Sequence, residues 1–198
     1  EISVLKKLWG FHLLTIIGFY LFTRNGGGDA WGYWLRAKSM LPSDFWNFLL
    51  TEKGTYFLYA LNYIPSNVFA MGFFANTLLF GLFGFIGLAY FYVIAIKTIP
   101  YNFKLGKFFV FPLVFFLPNL HFWSSGVGKD SLLFFSIGMF AYALLNISKR
   151  VILIIISLGL AYFIRPHMVL FMLLAFGLAY TINSNLSGAK RLLLAALL

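Results

Sequence analysis

Apolar residues in this chain come in long blocks: Leu8–Phe22, Val68–Ile96, Phe108–Leu120, Ser131–Ile147, Val151–Ile164, Met168–Ile182, and the start of another at Leu192. The blocks lack the strict apolar/polar alternation of barrel strands, and most carry apolar residues on every helical face. A backbone placed in hydrocarbon must close its hydrogen bonds within its own segment, which a helix does. The pattern therefore predicts an all-α protein, a polytopic transmembrane helical bundle with at least six hydrophobic passes. About twenty residues are needed to cross a hydrocarbon layer about 30 Å thick, and several blocks are shorter. Short blocks draw their connecting loops below the membrane surface. Irregular backbone is tolerated there only where protein buries it or where it lines a cavity, so an embedded pocket is expected.

The longest polar interruption runs from Thr23 to about Asn67. Within it, WGYWLRAKSM and PSDFWNFLLTE read as short amphipathic helices whose Trp and Tyr residues suit the headgroup level. The run Gly26-Gly27-Gly28 allows a tight turn just before Asp29. No internal repeat, low-complexity linker or shift in composition divides the chain, so residues 1–198 are expected to form a single transmembrane domain. The sequence begins at Glu1 without a methionine and stops inside an apolar run. It is expected to be the N-terminal fragment of a longer membrane protein.

Composition agrees with the pattern: 62% hydrophobic residues, 10% charged and a mean hydropathy of +0.90 lie far from a soluble domain. The net charge of +10 could suggest nucleic acid, but the basic residues sit between apolar runs rather than on a polar surface. Their distribution fits topology instead. With the N-terminus in the cytoplasm, Lys6, Lys7, Lys97, Lys104, Lys107, Lys149, Arg150, Lys190 and Arg191 fall inside. Arg24, Arg36, Lys38, Lys53, Lys129 and Arg165 fall outside, which agrees in direction with the positive-inside rule. Four of the five acids, Asp29, Asp44, Glu52 and Asp130, also fall outside, and only Glu1 falls inside. The absence of cysteine excludes disulfides, thiolate metal sites and cysteine nucleophiles.

Three outer segments could carry chemistry. In Gly28-Asp29-Ala30-Trp31-Gly32-Tyr33, a helix beginning at Asp29 puts Asp29, Tyr33 and Ala37 on one face. Asp29 is then either an N-cap or a general base or metal ligand. In His121-Phe122-Trp123-Ser124-Ser125-Gly126-Val127-Gly128-Lys129-Asp130-Ser131, a lysine at a helix N-terminus adds its charge to free N–H groups and makes an anion site. The alternative is that Asp130 or Ser131 caps the helix while Lys129 meets lipid headgroups. In Arg165-Pro166-His167, a guanidinium near hydrocarbon either faces a polar partner, for which a phosphate is well shaped, or snorkels to the headgroups. His167 is a proton carrier, a ligand or an interfacial structural histidine. Gly81, Gly84 and Gly87 read as a helix-packing face, His12 as structural, and Pro112 and Pro118 as residues that kink or shorten their helix.

The Gly-Asp followed four residues later by Tyr33, in a long first external loop with interfacial helices, resembles polytopic glycosyltransferases of the GT-C type. Pro118, Ser124, Lys129 and Asp130 also match a pattern found in GT-C-like and related polysaccharide-assembly membrane proteins. The resemblance implies a lipid bilayer and a polyprenyl-phosphate-linked sugar as partners, at the outer face of a bacterial cytoplasmic membrane. It implies Asp29 as the catalytic carboxylate, the base that activates the acceptor. Lys129, Arg165, Arg24, Asp130, His167 and Tyr33 are the expected substrate and phosphate residues. Many members also hold a divalent metal through paired acids. Only one acid stands in the motif here, so the metal remains an open expectation. A polysaccharide polymerase or ligase, and a non-catalytic subunit working with other membrane subunits, are the alternative readings.

Overall fold

The computed structural model describes residues 2–99, 104–105 and 108–183. Glu1, Lys107, Lys190, Arg191 and the block expected from Leu192 lie outside the described residues. The described chain is helical apart from a two-residue antiparallel pairing of Lys104–Leu105 with Phe108–Phe109. Three helices are long and apolar enough to cross a membrane: α1 (Ile2–Arg24), α5 (Phe73–Thr98) and α9 (Ile147–Ile164). The expectation of at least six passes thus meets three helices of spanning length among the described residues. A fourth apolar stretch, Pro166–Thr181, falls in α10 (Pro166–Asn183). On α9, Ile152, Ile155 and Ile156 are turned outward. An outward apolar face of that kind is stable only against hydrocarbon or another protein.

Between α1 and α5 the chain forms α2 (Ala30–Lys38), α3 (Pro42–Leu50), α4 (Thr55–Tyr63) and a π-turn at Ile64–Val68. On α2, Ala30, Trp34 and Ala37 form the buried face, and Trp34 packs against Phe73 at the start of α5. Two side-chain hydrogen bonds tie the end of this loop to the bundle: the Asn76 amide of α5 donates to Asn62 Oδ1 at 3.1 Å and to Ser66 Oγ at 3.0 Å, all three buried. The Gly54 N–H donates to the Phe163 carbonyl at 2.7 Å and the Phe57 ring stacks on Phe163, which fixes α4 against α9.

The block Phe108–Leu120 does not form a single helix. It breaks into α6 (Val110–Leu113), a 3-10 turn at Val114–Phe116 and α7 (Pro118–Phe122). Pro112 and Pro118 account for this, because each lacks an N–H and its ring clashes with the preceding turn. Pro118 sits instead in the first turn of α7, where no N–H is needed. The chain then re-enters regular structure at α8 (Lys129–Leu144), which packs on α5 and on α9.

The α5–α8 contact is made by backbone. A Cβ on Gly87 would stand 2.9 Å from the Phe134 backbone, and one on the facing Gly138 would stand 2.8 Å from the Gly87 carbonyl oxygen. A Cβ on Gly84 would fall directly onto the Ser124 carbonyl. In hydrocarbon, where apolar side chains gain nothing from leaving solvent, such close approach is how helices attract each other. Gly84→Val is therefore expected to destabilise the folded state by about 1–3 kcal/mol. Gly18→Ala, in the interior of α1 with nothing within 4 Å of the new Cβ, should instead stabilise the helix by about 0.5–1 kcal/mol. Reversible unfolding in mixed micelles measures both.

Candidate functional site

Helix α1 ends at Arg24, and the turn beyond it needs backbone that L-side chains rarely adopt: φ is +90° at Gly26 and +67° at Gly28. That turn delivers Asp29 to the start of α2. Asp29 occupies the N-cap position, yet its backbone is already near-helical (φ −100°, ψ −8°) and its carboxylate makes no capping bond. Side-chain capping requires extended backbone at that residue, which Asp29 lacks. Its carboxylate instead accepts a hydrogen bond from the Tyr33 hydroxyl at 3.2 Å, one turn along α2.

Lys129 is the first residue of α8. The N-cap is Gly128, which offers no side chain, and neither Asp130 nor Ser131 caps the helix. The Lys129 ammonium donates to Thr55 Oγ1 at 2.7 Å, reaching across to the start of α4. Asp130 points to Arg165, which ends α9, and their contact is 3.0 Å. Both members are partly exposed, at 39% for Arg165 and 51% for Asp130. An exposed pair of this kind contributes about 0–1 kcal/mol, so another anion can displace it.

Four helix ends therefore meet. Asp29, Tyr33, Lys129, Asp130 and Arg165 all line one cavity of about 300 Å³, whose apolar walls include Phe19, Phe22, Trp123 and Val127. Of the residues expected from sequence, Arg24 and His167 are not among those lining it. Arg24 bonds the Tyr20 hydroxyl and lies over that ring, 5.8 Å from its centroid. His167 is exposed, with its edge toward Phe171. Ser124, which matched the sequence pattern, is buried and donates to the Leu120 and His121 carbonyls, a structural use. Thr55, which accepts from Lys129, carried no sequence signal, and Trp123 lay within a candidate segment without being singled out.

Among the described residues, no three or more His, Asp or Glu side chains gather to hold a metal. Asp130 is taken by Arg165, leaving Asp29 as the one cavity carboxylate without a cationic partner shown. The donor set does not fit a resident divalent ion. No family model matches this chain, and no curated protein or solved structure does either.

The Tyr33 hydroxyl is pushed up to about 12, first by burial and then by the negative charge of Asp29 and its hydrogen bond to it. At neutral pH Tyr33 is thus a donor to Asp29 and not a base. Its folded value lies above the ordinary tyrosine value of about 10. The stabilisation is present below about pH 10 and is lost as pH rises through about 12. Phenolate absorbance should show, in the difference between wild type and Tyr33→Phe, a tyrosine ionising near pH 12 instead of near 10.

Proposed function

We propose that this chain is, or forms part of, a GT-C-like glycosyltransferase that moves a sugar from a polyprenyl-phosphate carrier to an acceptor at the extracytoplasmic face of a bacterial cytoplasmic membrane. The reading rests on one observation: a carboxylate free of capping duty shares a 300 Å³ cavity with a lysine and an arginine at the ends of apolar helices. Asp29 takes the proton of the acceptor hydroxyl as its oxygen attacks the anomeric carbon. The bond from that carbon to the phosphate oxygen breaks, and the electron pair leaves with the phosphate. Lys129 and Arg165 stabilise the charge that develops there, Arg165 by presenting its planar fork. Tyr33 holds the Asp29 carboxylate in place while it awaits the proton.

The charges inside the cavity balance, Asp29 and Asp130 against Lys129 and Arg165. An arriving phosphate binds by replacing Asp130 at Arg165, and this exchange supplies selectivity for an anion. Further along α8, Leu132 lines an apolar groove of about 310 Å³ with Leu61, Phe80, Phe83, Phe135 and Leu160. A groove of that lining offers hydrocarbon surface to the isoprenoid part of the carrier.

Asp29→Asn preserves shape and removes the base. In proteoliposomes supplied with polyprenyl-phosphate sugar, transfer should fall by about 10²–10⁴-fold with the amount of inserted protein unchanged. Turnover at the wild-type rate would remove Asp29 from the mechanism.

The same reading places a polytopic bundle with its N-terminus in the cytoplasm and the α2–α4 loop outside. Because the chain has no cysteine, single introduced thiols report sidedness directly. In intact spheroplasts, Ser43→Cys in α3 should react with a membrane-impermeant maleimide. Ser148→Cys, at the start of α9, should react only after the membrane is opened. The reverse pattern would invert the site toward the cytoplasm.

A further inference from the structure

Within the bundle, well below the cavity, two histidines meet. His12 lies midway along α1 and His121 near the end of α7, 109 residues away, and both are fully buried. Their Nδ1 atoms are 3.0 Å apart. His12 Nε2 stands 2.9 Å from the Gly81 carbonyl oxygen on α5, and His121 Nε2 stands 2.6 Å from the Phe115 carbonyl oxygen.

Counting protons over these contacts leaves one solution that satisfies all of them. A carbonyl oxygen only accepts, so each Nε2 must carry a hydrogen. If each ring is neutral, both Nδ1 atoms are then bare and their lone pairs face each other at 3.0 Å. Shifting a ring to its other tautomer mends that contact and turns a bare Nε2 on a carbonyl, which is no better. If both rings are cationic, two N–H groups collide at the centre. A single additional proton makes an Nδ1–H···Nδ1 hydrogen bond and keeps both carbonyl bonds.

We infer that His12 and His121 form a proton-binding site that holds one proton beyond the neutral pair, shared between the two Nδ1 atoms and fastening α1 to α7 inside the bundle. Burial by itself favours neutral rings. Against that act the hydrogen bond to a neighbouring ring and the two carbonyl dipoles. The groups packed on the pair are the rings of Trp9 and Phe85 from α1 and α5, Phe11 from α1, and the Gly81 and Phe115 carbonyls. None of these carries a charge. On its own helix the nearest ionisable groups are Lys6 and Lys7, with Lys7 about 7.5 Å back along the axis. The contact between the helices continues through Thr15 and Ser125, whose hydroxyls lie 2.8 Å apart and whose Oγ atoms bond the His12 and His121 carbonyls. Ser125 opens the short segment that ends at Lys129. Proton occupancy thus bears on the placement of the residues lining the outer cavity, although the site itself stands independently of any reaction there.

The sequence holds three histidines, so the chain with His167→Gln, a change at an exposed position, has imidazole nitrogens only in this pair. With ¹⁵N-histidine in lipid bilayers at pH 7, solid-state NMR should find three protonated ring nitrogens to one bare, with a coupling across the hydrogen bond between the two Nδ1 atoms. Raising the pH should convert this to two and two in a single step that affects both rings and abolishes the coupling. Two protonated and two bare nitrogens at pH 7, four protonated, or no coupling between the rings would each overturn the inference.

Discussion

With no Cβ on Gly84, the Ser124 backbone lies directly against α5, and this contact holds the chain between α7 and α8 inside the bundle. A loop in that position must satisfy its polar groups without water. It does so locally: Ser124 donates to the Leu120 and His121 carbonyls, and Ser125 to the His121 carbonyl. The cavity and the histidine pair both follow from the same placement. Three residues before Ser124, His121 is carried against His12 and α5. Five residues after it, Lys129 emerges at the cavity it shares with Asp29 and Arg165. Gly87 and Gly138 continue the close approach beyond Ser124 and set the line along which α8 leaves the site.

The spanning helices were legible because apolar character on every face is a property of consecutive residues. The blocks Leu8–Phe22, Val68–Ile96 and Val151–Ile164 correspond to α1, α5 and α9, with ends moved by a few residues. The block Phe108–Leu120 misleads for an equally local reason: its hydropathy is continuous, but Pro112 and Pro118 break the hydrogen-bond ladder that hydropathy ignores. The glycine run before Asp29 correctly signalled a turn, two of whose residues take positive φ. Capping by Asp29 was a reasonable expectation from its position, and it fails on a backbone angle that no residue type reveals.

Of the cavity, Asp29, Tyr33, Lys129, Asp130 and Arg165 could be singled out because charged or paired polar groups are conspicuous beside apolar runs. What they do to each other could not. The Asp130–Arg165 contact and the Lys129–Thr55 bond join segments 35 and 74 residues apart, and they depend on which helix ends meet. The histidine pair is the extreme case. His12 stands in one apolar helix and His121 beside another broken by prolines, each with the ordinary appearance of a structural residue. Only their convergence, 109 positions apart, gives them a shared proton.

Depth decides which of these charges can change partner. At the rim, Arg165 and Asp130 keep 39% and 51% of their side chains accessible, so water or an incoming anion can take over either half of the contact at little cost. The cations of the cavity are thus neither bare nor locked away. At His12 and His121 accessibility is nil, and the neighbours are rings and carbonyls. A charge there has no replacement partner and must be held by the same contacts for as long as the helices stay packed. Exchangeable charge thus lies at the rim, and the charge inferred for the histidine pair lies where only the fold can hold it. Two continuous stretches join the levels: α1, from His12 to Phe19 and Phe22, and the segment from His121 to Lys129.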